Sequence, residues 1–216
     1  MKKTLIIGLA ISLTLSIHSV AQKNQNEFAT IFGKEDGNKI EHGGYASFGF
    51  GYSTINNQEA LLAHFKAAWL IDHNFGIGVA GSSFINNLDK AIGTGDYYLT
   101  GGYGGLYLEK IVFPKLPVHV SFPVLLGAGG IAVLPNTFWY DINYDVNYAT
   151  NEYDVFFVVE PGVELEFNLV KFFRISMGAS YRFTNGVVLN SPNEQLINMG
   201  AMDGLTYNIN FKFGKF

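Results

Sequence analysis

Asp154 to Phe183 reads DVFFVVEPGVELEFNLVKFFRISMGASYRF, and both halves of the stretch alternate. In the first half Phe157, Val159, Val163, Leu165 and Phe167 share one face, and Glu160, Gly162, Glu164 and Glu166 share the other. In the second half Phe173, Ile175, Met177, Ala179, Tyr181 and Phe183 lie opposite Arg174, Ser176, Gly178, Ser180 and Arg182. A period of two sustained this long predicts two long β-strands joined by a tight turn over 168–171. With the turn centred near Val170, Glu166 falls opposite Arg174 and Glu164 opposite Ser176. Three acids, two arginines and the glycines then occupy one face, and the large apolar side chains the other. A closed barrel crossing a bilayer distributes its residues this way, with lipid outside and a polar, filled lumen.

Working outward, the same alternation recurs along the chain. Ala46, Phe48, Phe50 and Tyr52 oppose Ser47, Gly49 and Gly51 in a strand over 43–53. A polar turn over 54–58 leads to a strand over 59–71, with Leu61, Phe65 and Trp69 on one face and His64, Lys66 and Leu70 on the other. Asp72-His73-Asn74 forms a tight turn before a strand over 75–84. Residues 86–95 (NNLDKAIGTG) read as a polar loop. The strand over 96–112 places Tyr97, Leu99, Tyr103 and Tyr107 in one register, and its glycine-rich centre suggests a bulge. After a short turn over 113–117, a strand over 118–133 contains Pro123, which cannot donate to the ladder, so irregular pairing is expected there. Residues 134–152 and 185–203 read as long polar loops. The final strand, 205–216, sets Leu205, Tyr207, Ile209, Phe211 and Phe213 against Thr206, Asn208, Asn210 and Lys212. Phe216 is out of register with them, which leaves Phe213 as the last lipid-facing residue.

The count is eight strands. The connections after strands two, four and six are short and those after three, five and seven are long, the asymmetry of an outer-membrane barrel with both ends in the periplasm. The expected fold is therefore all-β, an eight-stranded antiparallel up-and-down transmembrane barrel.

The first 21 residues support export. Lys2 and Lys3 precede an apolar run from Leu5 to Ile17, and Ser19 and Ala21 stand at the −3 and −1 positions of a cleavage site. The expected organisation is a signal peptide over 1–21, a polar N-terminal extension over 22–42 and the barrel over 43–216. Cleavage takes the 14 basic residues to 12 against 18 acidic ones, a net charge of about −6, which disfavours binding to phosphate backbones and so to nucleic acid. The chain has no cysteine, so a framework of hydrogen bonds rather than disulfides must hold the exported fold together.

The segments HGGYASFGFGYS, AAWLIDHNFGIGVAG, GGYGGLYLEKIVFP, VHVSFPVLLGAGG, FFVVEPGVELEFNLVKFFRISMGASYRF and the terminal NFKFGKF together resemble a family of small outer-membrane β-barrels of Bacteroidetes-type bacteria. The resemblance covers most of 43–216. It implies residence in a Gram-negative outer membrane, outer-membrane lipid as surroundings, and recognition of the terminal aromatic strand by the barrel-assembly machinery. Barrels of OmpA and OmpX type suggest, by analogy, adhesion or envelope integrity.

Several constellations are candidates for chemistry. Glu160, Glu164, Glu166, Arg174 and Arg182, joined by Lys66, His64 and Lys212, which share the inward parity, read as an ion network filling the lumen, since unpaired charge there is costly; a narrow ion path is the alternative reading. His119 and Ser121 share a face in VHVS, as a lipid-modifying esterase would need for base and nucleophile. Their parity turns them inward, and the sequence identifies no acid to orient the histidine. Asp141, Asn143, Asp145, Asn147 and Glu152 match positions of a calcium-loop template, but Val146 stands where the sharp turn needs glycine. Phe138, Trp139, Tyr140, Tyr144 and Tyr148 form either an external recognition surface or an interfacial girdle. No cofactor motif is present. The leading reading is a non-enzymatic envelope or surface-binding barrel. The alternatives are the His119/Ser121 esterase and a soluble lipocalin-like barrel with its apolar faces turned inward around a ligand.

Overall fold

The computed structural model describes residues 40–92, 95–135, 153–187, 189–191, 194–197 and 200–216. The signal segment, nearly all of the N-terminal extension and the stretch 136–152 lie outside the described residues. Within them run strands β1 (His42–Ile55), β2 (Gln58–Ile71), β3 (Phe75–Ile92), β4 (Gly95–Val112), β5 (Val118–Pro135), β6 (Tyr153–Val170), β7 (Phe173–Thr184), β8 (Leu189–Ser191), β9 (Glu194–Ile197) and β10 (Gly204–Lys215). Eight of them close into an all-antiparallel barrel in the order β1-β10-β7-β6-β5-β4-β3-β2, and β8 and β9 form a separate two-stranded sheet. Closure is made by β1 and β10, paired from Gly44 with Lys215 to Ser53 with Thr206.

The alternation sorts the side chains as the period of two requires. Each barrel strand turns large apolar residues outward: Phe50, Phe65, Val79, Leu106, Leu126, Phe157, Met177 and Tyr207 are between 40% and 71% exposed. Their neighbours face in. Glu164, Glu166, Arg174, Arg182 and Lys212 are each at most 5% exposed.

At the loop end, the β1–β2 hairpin is tight. Asn56 and Asn57 both have positive φ (53° and 60°), as a two-residue turn matched to strand twist requires, and asparagine tolerates that region. At the opposite end, the turn end, the strands are joined through 72–74, 113–117 and 171–172.

Four expectations from the sequence need correction. Residues 86–95 are not a free polar loop: β3 and β4 continue as a hairpin, with Leu88 opposite Tyr97 and Ile92 opposite Gly95. The bulge anticipated in the glycine-rich centre of β4 is absent, because β4 pairs with β5 without a break from Tyr97 to Val112. The β6–β7 register is displaced by two residues from the expected one: Arg174 lies opposite Asn168, Ser176 opposite Glu166 and Gly178 opposite Glu164, with an irregularity between Asn168 and Val170. Asn168 explains the displacement. Its amide N–H donates to Pro117 O (2.8 Å) and its side-chain Nδ2 to Leu116 O (2.8 Å), which holds it in the sheet beside the 113–117 turn and moves the reversal to Lys171-Phe172. Residues 185–203, read as a polar loop, contain the β8–β9 sheet, and Val187, Ile197 and Met202 are wholly buried.

Pro123 interrupts rather than shifts its ladder. Ser121 pairs with Glu164 and Val124 with Pro161, so the same register resumes on the far side.

The lumen is layered, and only part of it is polar. Toward the loop end, Ile55, Leu62, Phe84, Leu99, Ile131, Val133 and Phe156 pack with Val187, Ile197 and Met202 into an apolar core. Toward the turn end a smaller cluster gathers Tyr45, Leu70, Tyr107 and Ile111, with Phe216 against it. Phe216 stacks on Tyr45 at 5.8 Å between centroids, whereas Phe213 is 43% exposed on the outer face, so the register mismatch of the last residue marks an inward fold of the C-terminus.

Candidate functional site

The chemistry-bearing side chains converge on the lumen. Lys212, on β10, is its centre: Nζ lies 2.6 Å from Glu166 Oε1, 2.7 Å from Glu109 Oε1 and 3.4 Å from Glu164 Oε2. Glu164 also pairs with Lys66, accepts from Ser176 Oγ at 2.8 Å and from Asn210 Nδ2 at 3.3 Å. Glu166 takes Arg174 Nη1 at 3.4 Å and His119 Nε2 at 3.1 Å. Glu109 receives the Tyr45 hydroxyl at 2.7 Å and the Tyr107 hydroxyl at 3.0 Å. A carboxylate removed from water needs donors on most of its lone pairs, and each of the three acids has at least three.

The eight expected network residues do not form one cluster. Glu164, Glu166, Arg174 and Lys66 meet around Lys212. Glu160 accepts from Ser180 Oγ at 2.6 Å, and His64 Nδ1 lies 2.8 Å from Ser82 Oγ. Arg182 stands nearer the loop end, donating from Nε to Met202 O (2.5 Å) and from Nη1 to the Tyr103 hydroxyl (3.3 Å). Arg182 therefore ties the 200–203 segment to the barrel wall. Counting Glu109 with the expected residues, four acids (109, 160, 164, 166) and four permanent cations (66, 174, 182, 212) face the lumen among the described residues.

Glu109 was not among the expected residues. Its signal was available in the parity it shares with Tyr103, Tyr107 and Ile111, all of which face inward.

Glycine makes this lumen possible at two places. A Cβ on Gly178 would meet Val163 O at 2.1 Å and Glu164 Cγ at 2.8 Å, and one on Gly51 would meet His64 Nε2 at 2.3 Å. Glu164 and His64 occupy the space those side chains would take. Beside them, among His64, Lys66, Glu160, Glu164 and Asn210, lies a cavity of about 40 Å³, room for about three waters. The buried His64 Nε2 and Asn210 Oδ1 have no protein partner and are the groups such water would satisfy.

Carboxylate oxygens of Glu109, Glu164 and Glu166 lie within 4.8 Å of one another, a spacing that suits a hard cation. The Lys212 ammonium already sits among them. The calcium template at Asp141, Asn143, Asp145, Asn147 and Glu152, and the aromatic surface of Phe138, Trp139, Tyr140, Tyr144 and Tyr148, lie outside the described residues.

His119 and Ser121 face inward and are 3% and 0% exposed. The sequence identified no orienting acid, but Glu166 is one, 3.1 Å from His119 Nε2. The other ring nitrogen, Nδ1, is 3.2 Å from Leu116 O, and the Ser121 hydroxyl lies against Glu166. Both histidine nitrogens are thus turned to groups other than the serine.

At the turn end, outside the sheet, Glu41 lies 2.5 Å from His73 Nε2, and this hydrogen bond holds the Glu41 carboxyl below its ordinary pKa of 4.5.

No protein-family model matches the chain, and no curated protein matches it. Among solved structures, the chain is similar to Neisserial surface protein A at 10% identity, over 82% of this chain and 99% of that one, with a TM-score of 0.47. It is similar to Ail, the attachment invasion locus protein of Yersinia pestis, in complex with the heparin analogue sucrose octasulfate, at 12% identity over 82% and 99%, with a TM-score of 0.44. It is similar as well to the N-terminal β-barrel domain of Pseudomonas aeruginosa OprF, at 10% identity over 78% and 97%, with a TM-score of 0.40. At these identities the likeness concerns the barrel fold alone.

Proposed function

We propose that the chain is an integral outer-membrane β-barrel of a Gram-negative bacterium whose lumen is sealed, serving as an envelope structural protein or a surface-binding scaffold. The observation that carries this reading is the orientation of the sheet. Apolar side chains form the convex face on all eight barrel strands, while the ionic groups meet inside. Water does not favour that arrangement, and a bilayer requires it. The soluble lipocalin-like alternative needs the reverse orientation and an open apolar cavity, whereas here the apolar part of the lumen is filled by its own side chains. Closure also leaves no unpaired edge among the barrel strands, as hydrocarbon demands.

Lipid is then the partner of the outer face. The barrel-assembly machinery would engage β10, and an extracellular ligand would meet the 138–148 aromatic segment. The experiment is fractionation combined with gel migration. The protein should partition with outer membranes and migrate faster unheated than boiled; recovery in the periplasmic soluble fraction would sink the reading. Carrying Phe138→Ala, Trp139→Ala and Tyr140→Ala together should abolish surface binding without changing that migration if the segment is a recognition surface, and should leave binding untouched if it is a girdle.

A further inference from the structure

We propose that the turn-end mouth of the barrel is a binding site for a phosphate-type oxyanion. The mouth holds an open pocket of about 560 Å³, within the size range of small-molecule sites and larger than a bare phosphate needs. Four permanent cations line it, and they arrive from separate elements: Lys115 from the 113–117 turn, Lys171 from the β6–β7 turn, Arg174 from β7 and Lys215 from the end of β10. His73 and Asn168 add further polar groups, and no aspartate or glutamate side chain lines the pocket among the described residues. Of the acids near the mouth, Glu41 is engaged with His73, and Asp72 is its neighbour in the 72–74 turn.

Arg174 supplies the independent observation. It is 5% exposed, its Nη1 points to Glu166 and His119, and its buried Nε has no partner. One edge of the guanidinium is therefore spent on the lumen, while the same residue lines the pocket and brings its charge to it. Phe216 lies against the guanidinium at 3.9 Å and limits where it can move. Lysines act as point charges and arginine as a fork, so cations converging from four elements suit a tetrahedral anion with several acceptor oxygens better than a single planar carboxylate.

The rim says something about the source of the phosphate. Phe113, Leu169, Val170 and Phe172 are 50–71% exposed around the same turns. An apolar rim beside a cationic pocket fits a lipid whose phosphate enters the mouth and whose acyl chains stay on the outer face. A free phosphate ester offers the same oxygens without the chains.

The test compares the full chain with a variant carrying Lys115→Gln, Lys171→Gln and Lys215→Gln. All three lysines are exposed, so the fold should be spared, and unchanged heat-dependent migration checks that. In detergent, glycerol phosphate binding is followed by ³¹P NMR. In nanodiscs of phosphatidylcholine with or without phosphatidylglycerol, retained anionic lipid is counted by native mass spectrometry. Loss of three exposed charge contacts should weaken glycerol phosphate binding about tenfold and remove the preference for phosphatidylglycerol. Binding in detergent without lipid preference assigns the site to a soluble phosphate; a preference in nanodiscs assigns it to a lipid phosphate. The proposal is overturned if the wild type binds neither probe, or if the variant matches it within twofold on both. The detergent arm does not depend on residence in a membrane, so failure of that reading and failure of this site are separable.

Discussion

Replacing Lys212 by methionine keeps a long unbranched side chain and removes one charge. In the folded barrel Nζ is within 3.4 Å of three carboxylates and the lysine is 1% exposed. Its loss leaves Glu109, Glu164 and Glu166 facing one another, with Lys66 on one side and Arg174 on the other. Breaking a buried ion pair by deleting one partner costs about 3–5 kcal/mol, mostly from charge left without compensation. At 1.4 kcal/mol per factor of ten, that is about a 150- to 4,000-fold change in the folding equilibrium. Urea unfolding in lipid vesicles, followed by tryptophan fluorescence and gel migration, measures it. The exposed Lys171→Met is the control and should move stability by no more than about 0.5 kcal/mol. Adding Glu166→Gln to Lys212→Met should recover part of the loss by removing one of the stranded charges. Should Lys212→Met behave like Lys171→Met, Lys212 is not the counter-ion of the lumen acids, and the account of the lumen is wrong.

The same Lys212→Met variant removes the ammonium from among three carboxylates that already lie within 4.8 Å of one another, so Mg²⁺ present during refolding should raise its yield and leave the wild type unaffected. Phe65→Arg, at the middle of β2 on the outer face, should cost about 2–4 kcal/mol in a bilayer, as arginine does near the midplane of such barrels; an unchanged urea midpoint in vesicles would argue against lipid contact there. Ser121→Ala removes a wholly buried hydroxyl beside Glu166 and should cost about 1 kcal/mol, with lipid A mass spectra unchanged; altered spectra would revive the esterase. For Glu41, a carboxyl with a lowered folded pKa stabilises above its unfolded pKa and loses that contribution as pH falls through the folded value. Its NMR titration midpoint should therefore lie below 4.5 in the wild type and return toward it in His73→Ala.

Sequence reading succeeded where one face is exposed and apolar and the other packs against protein. Along 154–183 the contrast between Phe157, Val159, Val163 and Glu160, Glu164, Glu166 is strong enough to assign every side chain to a face. It weakened where that contrast fades. Residues 86–95 lack alternation in the sequence, and so they look like a loop although β3 and β4 remain paired there. The β4 strand hid Glu109 because glycines at 101, 102, 104 and 105 carry no facial preference. The segment after β7 looked polar because its apolar residues fall in short groups, 187–189, 196–197 and 199–202, broken by asparagine, serine, proline and glutamate, with no period of two; Val187, Ile197 and Met202 meet only on folding.

Inside and outside were therefore determined by the chain alone, because in a strand a residue's parity ties it to one surface whatever the neighbouring strand does. Partnership across the lumen was not. Lys212 on β10 meets Glu109 on β4, 103 positions away, and Glu166 on β6. Those meetings depend on the stagger at which the sheet closes and on a single hydrogen-bonded asparagine, Asn168, that displaces the β6–β7 register by two residues. Closure is a property of all eight strands together, so only the tertiary structure could decide which acid each cation neutralises.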